Sequence, residues 1–163
     1  METIIIDQDC NFINMNLEEE IKQSKFRSEF QKTIINIYYT NSYISSKFQD
    51  LLSEYKLTVQ QYNILRILRG QFPETASIGT IKERMLDKNS DITRIIDRLT
   101  IKQLAERKNS INDRRVAEIK ITKKGLSLLE KMDLVDVKSD SILSHVNETD
   151  LKKLNELLDK IRI

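Results

Sequence analysis

The 163-residue chain holds a single cysteine, Cys10, which excludes an intramolecular disulfide framework and a cysteine-based zinc site. Such usage suits a reducing compartment, and the cytoplasm is the expected location. With 1 proline and 3 glycines there is little material for tight turns, so a mainly α-helical chain is expected. One histidine, His145, and the lack of a phosphate-cradling glycine loop leave almost nothing from which to build a catalytic constellation. No catalytic residue, cofactor or metal site is expected. No apolar run approaches the ~20 residues that span a bilayer, so no membrane partner is expected. The opening Met1-Glu2-Thr3-Ile4-Ile5-Ile6-Asp7 has acidic flanks and no basic stretch, which does not read as an export signal. Tryptophan is absent, and the tyrosines and phenylalanines lie almost wholly in the first two helical segments, which disfavours a stacking platform for RNA.

What the chain does have is charge, 32% of residues against 39% hydrophobic, in an uneven order. Residues 1–30 carry 3 basic and 7 acidic side chains, whereas residues 81–124 carry 13 basic and 7 acidic. The net charge of +2 therefore hides one central basic block between acidic ends. Phosphate neutralisation requires such a block, although a solvated helical face produces the same composition.

Phe26, Phe30, Ile34, Ile37, Ile44, Phe48, Leu51 and Leu52 recur at three- and four-residue steps, predicting one long amphipathic helix over about residues 17–54. So long an apolar stripe either wraps its own core or meets a second subunit, and both readings stay open. Thr58-Val59-Gln60-Gln61 has the spacing of a capping box and starts a second helix, with Gly70 and Pro73 as its stop signals. Ser77 is placed to cap a short helix through Met85. In Asn89-Ser90-Asp91-Ile92-Thr93-Arg94-Ile95-Ile96-Asp97-Arg98-Leu99, the residues Ile92, Ile95, Ile96 and Leu99 form an apolar stripe opposite a polar, partly basic side. Two short helices in succession, the second rich in Asn, Ser, Thr and Arg near its start, fit a helix-turn-helix whose second helix enters a major groove. A helical hairpin with a solvated face is the plainer alternative.

After that helix the period changes. Leu104–Lys108 and Val116–Ile121 flank the polar stretch Asn109–Arg115, and Ala117, Ile119 and Ile121 alternate with Glu118 and Lys120 as in a half-buried strand. A β-hairpin with a basic tip is expected, with Arg114 or Arg115 able to reach a minor groove or phosphates. Thr122 then caps a helix carrying Leu126, Leu129, Met132 and Val135, and a last helix after Asn147 or Thr149 carries Leu151, Leu154, Leu158 and Ile161. The terminal stripe needs a partner surface.

This order of elements resembles the MarR family of transcriptional regulators. The resemblance covers residues 58 to 132 and is sharpest in Thr93-Arg94-Ile95-Ile96-Asp97-Arg98-Leu99, in Asp113-Arg114-Arg115 and in Ile121-Thr122-Lys123-Lys124-Gly125. It implies a mainly α fold with a small β-hairpin wing, a winged helix-turn-helix lobe over about 58–121 within one 1–163 domain, and dimerisation helices over about 17–54 and 122–163. It further implies a homodimer on double-stranded DNA, a repressor on a pseudo-palindromic operator, with Asn89, Ser90, Thr93, Arg94 and Arg98 at the major groove. Asp113 would brace the wing, and Arg114 and Arg115 would hold it or reach the minor groove. The family's response to small phenolic or amphiphilic effectors suggests Tyr38, Tyr39, Tyr43 and Tyr62 as pocket residues, although tyrosines are more often core or interface residues.

Two departures stand out. The family often has a glycine between recognition helix and wing, where this chain reads Ile101-Lys102-Gln103-Leu104. The acidic segment before about residue 20 matches no family feature, and Cys10, flanked by Asp7 and Asp9, is expected to be an inert thiol. The rival reading is a non-catalytic helical protein–protein interaction module or adaptor. Such a module has no need of a basic hairpin directly after a Ser/Thr/Arg helix.

Overall fold

A computed structural model describes residues 16–109 and 117–162. The chain divides into two compact units, up to Tyr43 and from Ile44.

In the first unit, Asn16 caps α1 (Leu17–Glu20) in a reciprocal capping box with Glu19. The single helix expected from residue 17 is interrupted. α1 ends at Ile21, Lys22 adopts φ 54°, and α2 (Glu29–Ser53) begins only after Ser28. The Gln31 N–H donates to the Ser28 hydroxyl at 3.3 Å while the Gln31 side chain accepts from the Arg27 N–H at 2.7 Å. A second cap thus starts a second helix inside one apolar period. Lys32 pairs with Glu18 at 2.5 Å, and the Tyr39 hydroxyl donates to Glu20 at 2.6 Å, so α1 is tied back onto α2 by polar contacts.

The second unit holds the core. α3 (Val59–Gln71) opens on the Thr58–Gln61 capping box that the spacing implied. It buries Tyr62, Ile64, Leu65, Ile67 and Leu68. Gly70 does not stop it; the helix runs to Gln71, and Phe72, before Pro73, is its C-cap. Ser77 caps α4 (Ile78–Arg84), and α5 (Ile92–Ile101) follows after a turn. β2 (Ala105–Asn109) and β3 (Ala117–Ile121) pair antiparallel, Ala105 opposite Ile121. The periodicity missed β1 (Ala76–Ser77), two residues long, which pairs with β3 and makes a sheet of order β1-β3-β2. A run so short carries no alternation to detect.

Thr122 caps α6 (Lys123–Lys131), Met132 interrupts it, and α7 (Asp133–Asp140) and a 3-10 turn (Ser141–Leu143) precede α8 (Glu148–Ile161), capped by Asn147. Leu52, Ile64, Leu65, Leu68, Ile81, Ile96, Leu99, Ile119, Leu129 and Met132 close one continuous core. α3 is bound to α7 by Arg66, whose guanidinium donates to both oxygens of Asp136 at 2.7 and 2.6 Å, and by Arg69 on Asp133 at 2.9 Å. Among the described residues no buried side-chain polar atom lacks a partner. No helix of the described residues is long and apolar enough to cross a membrane.

Candidate nucleic-acid interface

α4, a turn and α5 form the helix-turn-helix that the residue pattern implied. The turn is fixed from below. The Leu86 N–H donates to Asn63 on α3 at 3.1 Å, and the Lys88 ammonium closes the end of α4 by donating to the Glu83 carbonyl at 2.6 Å. Asp87 gathers the Ser90 hydroxyl at 2.8 Å and the Asn89 N–H at 3.0 Å. Those two bonds, the hydroxyl first, hold its carboxyl below the usual aspartate value. The helix starts later than the motif suggested, because Asp91 accepts from the Arg94 N–H at 3.1 Å and is the cap. Asn89 and Ser90 therefore sit in the turn, with the Ser90 hydroxyl engaged, while Thr93, Arg94 and Arg98 sit on the helix.

α5 buries Ile92, Ile96 and Leu99 and exposes Thr93, Arg94, Asp97 and Arg98. Neither the Arg94 nor the Arg98 side chain is engaged in a hydrogen bond or an ion pair among the described residues. Two uncommitted guanidiniums on one exposed helix face are free to meet base edges or phosphates. Asp97 is the polar residue of this face that is spoken for. It pairs with Arg107 of β2 at 3.6 Å and so links α5 to the wing. Sequence reasoning did not single out this pair, whose partners meet only once β2 folds back.

The missing glycine after α5 is replaced by Gln103, which takes φ 60°, a left-handed conformation that costs a non-glycine residue about 1–2 kcal/mol. Its neighbours close the helix end, with the Leu104 N–H on the Leu99 carbonyl at 2.9 Å and the Gln103 N–H on the Thr100 carbonyl at 2.9 Å. The Thr122 hydroxyl donates to the Gln103 carbonyl at 2.8 Å, and the Thr122 N–H to the Leu104 carbonyl at 3.1 Å. The wing root is therefore anchored where α6 begins. Gly125 permits this approach, since a Cβ there would lie 2.3 Å from the Leu104 carbonyl oxygen. The wing tip with Asp113, Arg114 and Arg115 lies outside the described residues, as does Cys10.

The tyrosines have different surroundings. Tyr38 is 73% exposed, and Tyr39 is engaged with Glu20. Tyr43 is half exposed and also makes an interaction. Tyr62 is buried in the second unit, where its hydroxyl donates to Asp136 at 2.8 Å and accepts from Arg66 at 3.2 Å. Burial is the main reason its phenol is harder to ionise than usual. Among the described residues no group of three or more His, Cys, Asp or Glu side chains is arranged to hold a metal ion.

A family model described as "MarR family" matches residues 57–117, from the loop before α3 to the start of β3. The chain is similar to the crystal structure of a MarR transcription factor from Planctomyces limnophilus, at 31% identity and a TM-score of 0.64, covering 83% of this chain and 98% of that one. It is 28% identical over 120 residues to the HTH-type transcriptional regulator PecS of Dickeya dadantii (strain 3937), covering 72% of each. The fold also matches the S. aureus MepR–DNA complex, with a TM-score of 0.71 at 17% identity over 84% of this chain and 97% of that one.

Proposed function

The chain belongs to the MarR family of DNA-binding transcriptional regulators, and from that premise we propose that it is a homodimeric, cytoplasmic repressor of a pseudo-palindromic operator. MarR-family members are regulators of transcription and not enzymes. The observation that carries the reading is the pair of guanidiniums, Arg94 and Arg98, unengaged among the described residues, on the exposed face of a helix whose turn and wing root are both pinned. In this reading α5 lies in a major groove with Thr93 and Arg94 at base edges and Arg98 at a phosphate. Asn89 and Ser90 approach the backbone from the turn. Asp113, Arg114 and Arg115 act at the wing, where an arginine enters the adjacent minor groove.

Two stripes support a second protomer. α2 exposes Phe30 at 84%, Ile34 at 56% and Tyr38 at 73%, and α8 buries no residue, leaving Leu154, Leu157 and Ile161 about half exposed. Each is an apolar face that a dimer would cover. Two recognition helices about one helical turn apart then occupy successive major grooves, and occupancy blocks polymerase. A small phenolic or amphiphilic effector would release the operator by favouring a dimer in which that spacing is lost.

Selection from a random duplex pool, together with the sedimentation mass of the free protein, tests this. A palindromic consensus and a mass of two chains are expected, and Arg115→Ala should weaken binding while leaving the mass unchanged. A monomer, or retention of duplex without any consensus, contradicts it and favours a helical adaptor.

A further inference from the structure

One cavity of the second unit, about 490 Å³, has three cations and no carboxylate in its wall. It lies between the last turns of α2, the loop into α3, the first turn of α3 and the C-terminal end of α5. Lys56, Arg98 and Lys102 supply the charge, and Leu57 and the largely exposed Ile101 supply apolar surface. The volume falls in the ordinary range for small-molecule sites, ~300–1,000 Å³.

The walls are held rather than slack. Gln49 donates to the Leu57 carbonyl at 2.9 Å and accepts from the Val59 N–H at 3.3 Å. Gln61 is the one buried polar residue among the described residues, 4% exposed, and its side-chain oxygen accepts from the Lys102 ammonium at 3.1 Å. Lys102 also donates to the Lys56 carbonyl, so two of its three protons are committed. The Lys56 ammonium and the Arg98 guanidinium have no hydrogen bond or ion pair among the described residues. Two uncommitted cations, with a third partly committed and no carboxylate among the lining residues, leave a positive potential in a concave site.

We propose that this cavity binds a small organic dianion, a phosphomonoester or a dicarboxylate, and that its occupant competes with DNA for Arg98. Two negative charges match Lys56 and Arg98 and leave Lys102 on its two oxygen acceptors. An organic frame would rest on Leu57 and Ile101. The competition rests on the DNA-binding reading given above, because Arg98 there contacts a phosphate; the binding of the dianion does not. A guanidinium turned into the cavity is lost to the operator, and by linkage DNA weakens the ligand by the same factor. Because Arg98 lies on the helix that carries Arg94, Lys102 is that helix's C-cap, and Lys56 lies in the loop before α3, the occupant would also tie the far end of the recognition helix to that loop.

The test is calorimetric titration of the full chain at fixed ionic strength with three probes on one ring: phenyl phosphate, phthalate and benzoate. At least one dianion should bind at least 10-fold more tightly than benzoate, and the tighter of the two identifies the phosphate or the carboxylate source. Lys56→Ala should weaken that dianion about 10-fold, one lost charge-assisted contact, with duplex affinity and helix content unchanged. Adding the dianion should weaken duplex binding by wild type and not by Lys56→Ala. Three results overturn the site: no binding of either dianion up to ~10 mM; benzoate binding as tightly as both; or Lys56→Ala binding like wild type. A loss of duplex affinity in Lys56→Ala alone also overturns it and assigns the cavity to a DNA phosphate. Dianion binding without any change in duplex affinity overturns the competition. Wild type that binds the dianion and no duplex refutes the regulator reading and leaves the binding site standing.

Discussion

Replacing Gly125 by alanine adds one methyl group where the wing root meets α6. The new Cβ would stand 2.3 Å from the Leu104 carbonyl oxygen, 2.8 Å from Ile121 Cγ1 and 3.2 Å from the Leu104 carbonyl carbon. An unstrained carbon–oxygen contact is about 1 Å longer than the first of these, so α6 or the α5–β2 corner must move. Neither moves freely. The Leu104 carbonyl accepts from the Thr122 N–H at 3.1 Å, its N–H is bonded to Leu99 at 2.9 Å, and Ala105 is paired with Ile121. Overpacking of this kind costs about 1–3 kcal/mol. Disturbing the Thr122 bond adds about 1 kcal/mol, and the better helix propensity of alanine returns about 1 kcal/mol. The expected loss is about 2 kcal/mol, or a Tm lowered by roughly 4–8 °C for a chain of this size. Gly70 provides the internal control, because a Cβ there meets nothing within 4 Å and the residue lies inside α3. Gly70→Ala should stabilise by about 0.5–1 kcal/mol. Urea and thermal unfolding at one protein concentration read both variants, since association would shift each curve. If Gly125→Ala unfolds at or above the wild-type midpoint, the close approach at the wing root is wrong.

Three further outcomes follow from particular contacts. Gln103→Gly should stabilise the chain by about 0.5 kcal/mol, the relief of a left-handed non-glycine residue less the added freedom of the unfolded chain, whereas Gln103→Val should destabilise it; a urea midpoint that falls for the glycine variant refutes this. Asp136→Asn should cost about 0.5–1 kcal/mol, because the Arg66 pair is partly exposed and screened, and an unchanged midpoint would mean that the bond between α3 and α7 contributes nothing. The Asp87 carboxyl is held low in the folded chain, so its contribution to stability is present above its unfolded pKa and lost as pH falls through its lower folded value. Ser90→Ala removes the largest cause and should bring the Asp87 pKa, followed by carbon NMR, back up toward the ordinary value; no upward movement contradicts the assigned bond.

The elements of the DNA-binding lobe were legible because each is marked locally: Thr58–Gln61, Ser77 and Thr122 cap three helices at the expected residues. The interruption between α1 and α2 was written in Ser28-x-x-Gln31, a cap signal that lies between Phe26 and Phe30, the first two positions of the apolar period that implied one long helix. β1 and the Asp97–Arg107 pair were not legible, since both depend on β3 or β2 arriving from distant sequence. Gly70 misled as a stop signal because it adopts no positive φ and its helix goes on. The resemblance correctly flagged the corner after α5 as a place that needs a solution, and Gln103 is that solution. The cavity beside Lys56 left no trace in the sequence, because its wall is drawn from α2, α3 and α5, far apart along the chain.

The most direct measurement is the ratio of affinities for the selected operator and for an unrelated duplex, at one salt concentration, in wild type and Arg94→Ala. If Arg94 reads a base edge, the contact contributes about 1–3 kcal/mol of discrimination, so the ratio should fall about 5-fold or more while affinity for the unrelated duplex changes little. A variant that stays folded and keeps the wild-type ratio would place α5 outside the groove and contradict sequence-specific recognition by this helix.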